Sequence, residues 1–177
     1  MTAIRCMANT EIGRIAEIDR SQHVTKAYTC EDGVLSLEDV DWRVPPWSKD
    51  GQGEHSVHRM REHIRPILAK GGVMFGAFEV DKLVGFAVYR PKLRKDMAGL
   101  AMLHVSNGHR RQGIGSALTG KVIRLARKDG VRKLYVSGTP SAPTVDFYRS
   151  IGCKPTQDPI PELVEKEPED IHMIMPL

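Results

Sequence analysis

The chain has 177 residues, 41% of them hydrophobic and 27% charged, with a formal net charge of +4. That is enough for one domain with its own core, and the balance is ordinary for a soluble globular protein. No apolar run reaches membrane-spanning length, the start shows no basic-then-apolar pattern of a secretory signal, and the three scattered cysteines (Cys6, Cys30, Cys153) form neither a Cys-x-x-Cys pair nor a zinc spacing, so reduced thiols in a cytoplasmic protein are expected.

Residues 3–7 alternate weakly and predict a first strand. Asn9-Thr10-Glu11 can open a helix through Asp19, with Ile12, Ile15, Ala16 and Ile18 as its apolar stripe. Val24–Cys30 and Val34–Leu37, joined by Glu31-Asp32-Gly33, predict a hairpin. Residues 38–54 read as loop, so a hairpin and loop insert is expected at about 22–54 within one domain spanning 1–177. His55–Lys70 predicts a helix interrupted at Pro66 and ended by Gly71-Gly72. Val73–Val80 and Leu83–Tyr89 predict an antiparallel hairpin with residues 98–105 as the neighbouring strand. A helix over 113–129, a strand over 133–137, a helix over 142–150 and strands near 153–156 and 171–175 complete the chain. Strands that are first antiparallel and then joined by helical crossovers imply an α+β fold, an α/β sandwich on a mixed sheet.

Charge is segregated. Residues 90–133 hold twelve Lys or Arg against Asp96 and Asp129, while residues 155–177 hold six acids against Lys166. The basic middle lacks the interleaved aromatics of a base-stacking surface, so no nucleic-acid partner is expected. Lys121, Arg124, Arg127 and Lys128 read as a solvated helix face.

Inside that basic region, Arg110-Arg111-Gln112-Gly113-Ile114-Gly115-Ser116 lies between an apolar strand and an amphipathic helix. Glycines allow close backbone approach, and the first amides of a helix have no internal partners while the dipole favours negative charge there. The arrangement suits a phosphate or pyrophosphate. The third glycine of a dinucleotide fingerprint and the Gly-Lys-Ser/Thr ending of a phosphate loop are both missing.

The stretch Leu103-His104-Val105 followed by Arg110-x-x-Gly113-x-Gly115 resembles the acetyl-CoA-binding motif of the GNAT superfamily of N-acetyltransferases. Ser141-Ala142-Pro143-Thr144-Val145-Asp146-Phe147-Tyr148-Arg149-Ser150-Ile151-Gly152-Cys153 is similar to its second conserved segment, with Ser141 for the usual Asn, Thr144 for Ala, Cys153 for an aromatic, and Arg111 at a common glycine position. The resemblance implies a mostly antiparallel sheet with one splayed parallel strand pair, between which acetyl-CoA inserts. It implies coenzyme contacts at Leu103, Val105, Ser106, Arg110, Arg111, Gln112, Gly113, Ile114, Gly115, Ser116, Ser141 and Phe147, with backbone groups near Val105 and Ser106 freed by a bulge. It also implies Tyr148 as the proton donor to the leaving thiolate, and no metal.

An amine acceptor must lose a proton before it attacks. The strand over 98–105 holds no carboxylate, and its only titratable group is His104, whose ordinary pKa of about 6.5 suits a base; a histidine packed in the core is the alternative. Glu79, Asp146 and His172 are further titratable candidates. The acids of the insert and late loop, with Trp42, Trp47 and Asp41 as named contacts, suit a cationic acceptor through charge and cation–π attraction. The expected activity is acetyl-CoA-dependent acetylation of a primary amine, a cationic small molecule, in a protein that binds no membrane and leaves room for a homodimer. Acetylation of a protein or peptide amine, or coenzyme binding without turnover, are the alternatives.

Overall fold

The structure, a computed structural model, describes residues 2–48 and 51–177. Met1, and Lys49 and Asp50 of the expected 38–54 loop, lie outside the described residues. In chain order the elements are β1 (Thr2–Cys6), a 3₁₀ helix (Asn9–Glu17), β2 (Gln22–Glu31), β3 (Val34–Val44), α1 (Val57–Ala69), β4 (Val73–Glu79), β5 (Lys82–Arg94), β6 (Met97–Val105), a short 3₁₀ turn (Asn107–His109), α2 (Ile114–Lys128), β7 (Lys133–Gly138), α3 (Ala142–Ser150), β8 (Lys154–Pro155), α4 (Pro161–Lys166) and β9 (Ile171–Pro176). Seven strands form one sheet in the order β1-β4-β5-β6-β7-β9-β8, and β2 and β3 form a separate ribbon.

Every neighbouring pair is antiparallel except β6 and β7. Their parallel register runs only from Met97↔Lys133 to Leu100↔Val136. Ala101 is an extra residue opposite the Val88/Tyr89 step of β5, and such a bulge bends a strand and raises its twist. The two strands part immediately beyond it. Ala101–Val105 therefore stay only half-buried although β6 is a central strand.

Helices cover both faces. On one, α2 presents Ile114, Leu118, Val122 and Ala126, spaced four apart, to Val84, Ala87, Leu100, Leu134 and Val136, and α3 adds Val145 and Tyr148. On the other, Ile12, Ile15 and Ile18 of the 3₁₀ segment and Ile64 and Leu68 of α1 close over Met74, Phe86 and Val88. Ala16 is exposed and does not belong to that stripe. The chain enters the 3₁₀ segment with the Ala8 N–H donating to the Glu11 carboxylate at 2.9 Å. Ser56 caps α1 by accepting from the Arg59 amide at 3.1 Å, and the helix runs through Pro66 instead of breaking there.

The insert departs from expectation. Residues 38–44 are strand, not loop, because β3 pairs with β2 from Val34↔Glu31 to Val44↔Gln22. Asp32 and Gly33, with φ of 50° and 80°, make the two-residue turn that a twisted hairpin favours. The ribbon docks beside the end of β7: the Tyr28 N–H donates to the Pro140 carbonyl at 2.7 Å, and the Tyr28 hydroxyl donates to Asp146 on α3 at 2.9 Å. The six-residue α4 was not expected, although Pro161 at its start, Glu162 in its first turn and Lys166 in its last are ordinary helix signals. Among the described residues no helix is long and apolar enough to cross a membrane.

Candidate active site at the strand splay

Backbone polarity along β6 can be followed from one bond. The Ser106 N–H donates to the Val84 carbonyl at 2.9 Å, which makes Ser106 and Val84 a hydrogen-bonded pair. Pairs alternate along an antiparallel ladder, so His104 also directs its backbone groups toward β5. Leu103 and Val105 direct theirs toward β7, into the splay. The Val105 carbonyl is taken by Arg110 Nε at 3.1 Å. The Leu103 amide and carbonyl and the Val105 amide are left for a ligand between the strands.

The bulge lies at Ala101, four residues before the expected place. Ser106 is not among the freed groups: it is buried, its amide serves Val84, and its hydroxyl accepts from the Asp19 amide at 2.9 Å. The Arg110 side chain also turns inward, its Nη2 donating to the Arg20 carbonyl at 3.3 Å, so it braces strand and loop and does not face the turn. Ser141 is buried and its hydroxyl donates to Thr144 at 2.9 Å, which removes it as a free donor to a ligand.

The basic turn has the expected form. Arg111 adopts φ of 63° at the position where glycine is common, and Gly113, at φ of 80°, is the N-cap of α2. No side chain caps the helix. A missing cap costs about 1 kcal/mol, small against the roughly 1.5–3 kcal/mol from each large apolar side chain that α2 buries. The amides of Ile114, Gly115 and Ser116 are thus open to an anion. The Gln112 side chain folds back on the Gly108 carbonyl at 3.3 Å. Phe147 lies beside Gly115, and its ring meets Tyr148 edge-on at 5.5 Å.

Tyr148 packs against the end of β7. A Cβ on Gly138 would lie 2.8 Å from its ring, so glycine is what allows the close approach. Burial, then the nearby Cys153 and Asp170, push its hydroxyl above the ordinary value. The phenol keeps its proton at neutral pH, and no hydrogen-bond partner among the described residues competes for it.

The opposite face of the splay carries the other candidates. His104 stacks on Phe86 with ring centroids 5.1 Å apart and lies 6.3 Å from Trp47. Burial, then the charges of Arg20 and Arg110, lower its pKa to about 4. The expectation of a histidine titrating near neutrality is therefore corrected: the ring is neutral at pH 7 and a poorer base than a solvated imidazole.

On the β7 side of the same face, the Ser137 hydroxyl donates to Asp170 at 2.8 Å. Burial raises the Asp170 carboxyl above its ordinary range. Its charge is felt by Tyr148. Glu167 is raised as well, by desolvation first and by Asp170 next, with smaller effects from His63 and Glu54. Those couplings bring the late loop up to α1 and the segment before it. A carboxylate thus stands where β6 supplies none. In the sequence it was one acid among six, and only its cross-chain contact to Ser137 sets it apart.

Trp47 is the one insert candidate placed beside β6. Trp42 is 40% exposed on the ribbon. Asp41 is exposed and bonded to His23 at 2.6 Å, on the ribbon side opposite Trp42. Glu79 pairs with His109 at 2.8 Å and Asp146 with Tyr28, both on exposed surfaces. His172 Nδ1 and the Tyr135 hydroxyl share a hydrogen bond at 2.7 Å, and the hydroxyl also accepts from the Ile160 amide at 3.0 Å. That chain of bonds pins the late loop to the sheet. Among the described residues no three His, Cys, Asp or Glu side chains are grouped to hold a metal ion.

Residues 34–153, about two thirds of the chain, match the model of the acetyltransferase (GNAT) family. The chain belongs to the GNAT family. Human N-acetyltransferase 8 is 34% identical over 92 residues, 49% of this chain and 40% of that protein. The GNAT fold is shared with the crystal structure of nourseothricin acetyltransferase (TM-score 0.73, 20% identity, 99% of this chain and 98% of that one). It is also shared with PaiA N-acetyltransferase from Thermoplasma acidophilum in complex with coenzyme A (TM-score 0.65, 15% identity, 100% and 99%). The chain matches only 40% of the length of its curated relative N-acetyltransferase 8, and the splay and the uncapped α2 turn are the features of this GNAT chain that fit acetyl-CoA.

Proposed function

We propose that this GNAT protein transfers the acetyl group of acetyl-CoA to a primary amine of a small molecule, which enters as the ammonium cation. The observation that carries the reading is the pair Asp170 and Tyr148 at the end of β7, one a half-buried carboxyl and the other a buried phenol that feels its charge.

Acetyl-CoA supplies the activated acetyl group. The amides of Ile114, Gly115 and Ser116 would hold its pyrophosphate, and Leu103 and Val105 would bind its amide-bearing arm through backbone groups. The Val105 amide would face the charge that develops on the acetyl oxygen. Asp170 draws the ammonium and takes its proton, and its raised pKa makes it a stronger base than a solvated carboxylate. Tyr148 stays protonated and donates to the developing thiolate. His104, neutral, forms the apolar and aromatic wall on the β6 side.

A panel of primary amines incubated with acetyl-CoA, read as free thiol release and confirmed by mass of the acetylated product, tests the reading. Acetylation of small amines supports it. Thiol release only with peptides or proteins would move the acceptor to a macromolecule.

A further inference from the structure

We infer that the acceptor carries a carboxylate as well as its amine, and that Arg20 and Trp47 form the subsite that holds it; the inference rests on the amine-acetylation reading above. Arg20 lies between the 3₁₀ helix and β2. Its guanidinium sits over the Trp47 ring, 5.1 Å from the centroid. Trp47 lies 6.3 Å from His104, so the pair borders the open part of β6.

Among the described residues Arg20 has no acidic partner. Desolvation lowers its pKa, and no carboxylate raises it. Its neighbour Asp19 is spent on the Ser21 hydroxyl and amide at 2.6 and 3.0 Å. Two buried donors of this pair have no acceptor among the described residues, Nη1 of Arg20 and Nε1 of Trp47. Other arginines of this protein resolve the same problem internally. Arg14 binds Glu17 at 2.7 Å, and Arg110 binds two backbone carbonyls. An unpaired, desolvated cation beside an orphaned indole N–H is costly in the free protein.

The missing acceptor has definable chemistry. It is an anion with oxygen atoms able to take a guanidinium N–H and an indole N–H together. Arg110, the next cation, is held by two backbone carbonyls and faces the charge of Asp19, so Arg20 is the cation left to meet an anion, and a carboxylate balances it. His104 is neutral and adds no second cation. The acids lie on the β7 side, at Asp170 and Glu167, so the two walls have opposite signs. An amino carboxylic acid satisfies both, its ammonium toward Asp170 and its carboxylate toward Arg20.

Calorimetry with N-acetyl amino acids and their primary amides, in the presence of coenzyme A, tests the subsite without needing turnover. The free acids should bind wild type about tenfold or more tightly than the amides. Arg20→Gln should erase that difference, and Arg20→Lys should retain part of it, with circular dichroism confirming that both variants fold. Equal binding of acid and amide, no binding of any acid, or a preference that survives Arg20→Gln overturns the subsite. Absence of thiol release from acetyl-CoA with every amine overturns the acetylation reading instead, which separates the two failures.

Discussion

The Ser137 hydroxyl donates to Asp170 at 2.8 Å across a sequence separation of 33 residues, tying the last strand of the parallel pair to the loop that precedes β9. Ser137 stands where β7 has already parted from β6, and Asp170 leads directly into β9. The carboxylate is thereby fixed at the mouth of the splay, on the face that also carries His104 and Trp47. Burial makes its charge unfavourable, and among the described residues no cation is paired with it.

That relation predicts opposed effects on stability and rate. A carboxyl with a raised folded pKa contributes stability that is fully present below its unfolded value and is lost as pH rises through the folded one. As pH rises, ionisation of Asp170 therefore weakens the fold. Asp170→Asn should raise the urea midpoint at pH 7 and give little gain near pH 3, while kcat falls about a hundredfold as the proton acceptor is lost. Loss of stability at pH 7, or unchanged kcat with chemistry as the slow step, would contradict this assignment.

Tyr148→Phe removes one oxygen from a packed ring. Packing should survive, kcat should fall on the order of a hundredfold, and KM for acetyl-CoA should change little, the pattern of a contact made mainly in the transition state. Steady-state kinetics with calorimetric acetyl-CoA binding check it. A rise in the coenzyme dissociation constant that accounts for the whole loss would make the hydroxyl a ground-state contact.

Gly138→Ala tests position separately from chemistry. The new Cβ would meet the Tyr148 ring at 2.8 Å and Thr144 Cγ2 at 3.1 Å, so the ring must move. Overpacking of this kind costs about 1–3 kcal/mol. The variant should melt lower and lose kcat with its phenol intact. In a Tyr148→Phe background the same substitution should cost almost no further rate, because the group it displaces is gone. Additive losses in the double variant would show that Gly138 matters for another reason.

The frame was legible because its signals are local. The four-residue spacing of Ile114, Leu118, Val122 and Ala126, the Asp32-Gly33 turn and the glycine-spaced basic turn each act over a few residues. Residues 38–44 were read as loop together with the proline- and glycine-bearing stretch that follows, although Val40, Trp42 and Val44 alternate with Asp39, Asp41 and Arg43; pairing with β2 makes them a strand. The roles of Ser106, Arg110 and Ser141 changed for a similar reason. Their side chains are claimed by Asp19, by Val105 and Arg20, and by Thr144, and two of those three arrangements are contacts between distant segments. The isolation of Arg20 is wholly tertiary, since Asp19 beside it in sequence looks like a partner and is not.

Acetyl-CoA should raise the melting temperature of the protein in proportion to its binding. At Gly113 nothing lies within 4 Å of a built Cβ, so a substitution there acts through φ of 80° alone. A β-branched residue should cost roughly 1–2 kcal/mol and shift the first turn of α2. Gly113→Val should therefore keep its fold and lose most of the acetyl-CoA-induced thermal shift. A full thermal shift in this variant would place the pyrophosphate elsewhere.

His104 makes the protein lose stability on the acid side. Its folded pKa of about 4 lies below the unfolded value of about 6.5. For a lowered histidine the folded state binds fewer protons, so stability is fully present above about pH 6.5 and falls as pH drops toward 4. At about 1.4 kcal/mol per pH unit the loss is on the order of 3 kcal/mol. Arg20 and Arg110 drive it in the same direction as burial, since a protonated His104 would be a further cation between them. Denaturant unfolding at pH 7.0 and near pH 4.5 should show a steep loss in wild type that is much reduced in His104→Gln. The same variant should keep any rate limb near neutrality, because His104 carries no proton there to lose. A stability difference between the two pH values that is identical in wild type and His104→Gln, or a neutral limb that disappears in the variant, would mean that the ring titrates as a solvated histidine and that the β6 wall is wetter than the packing of Phe86 and Trp47 around it requires.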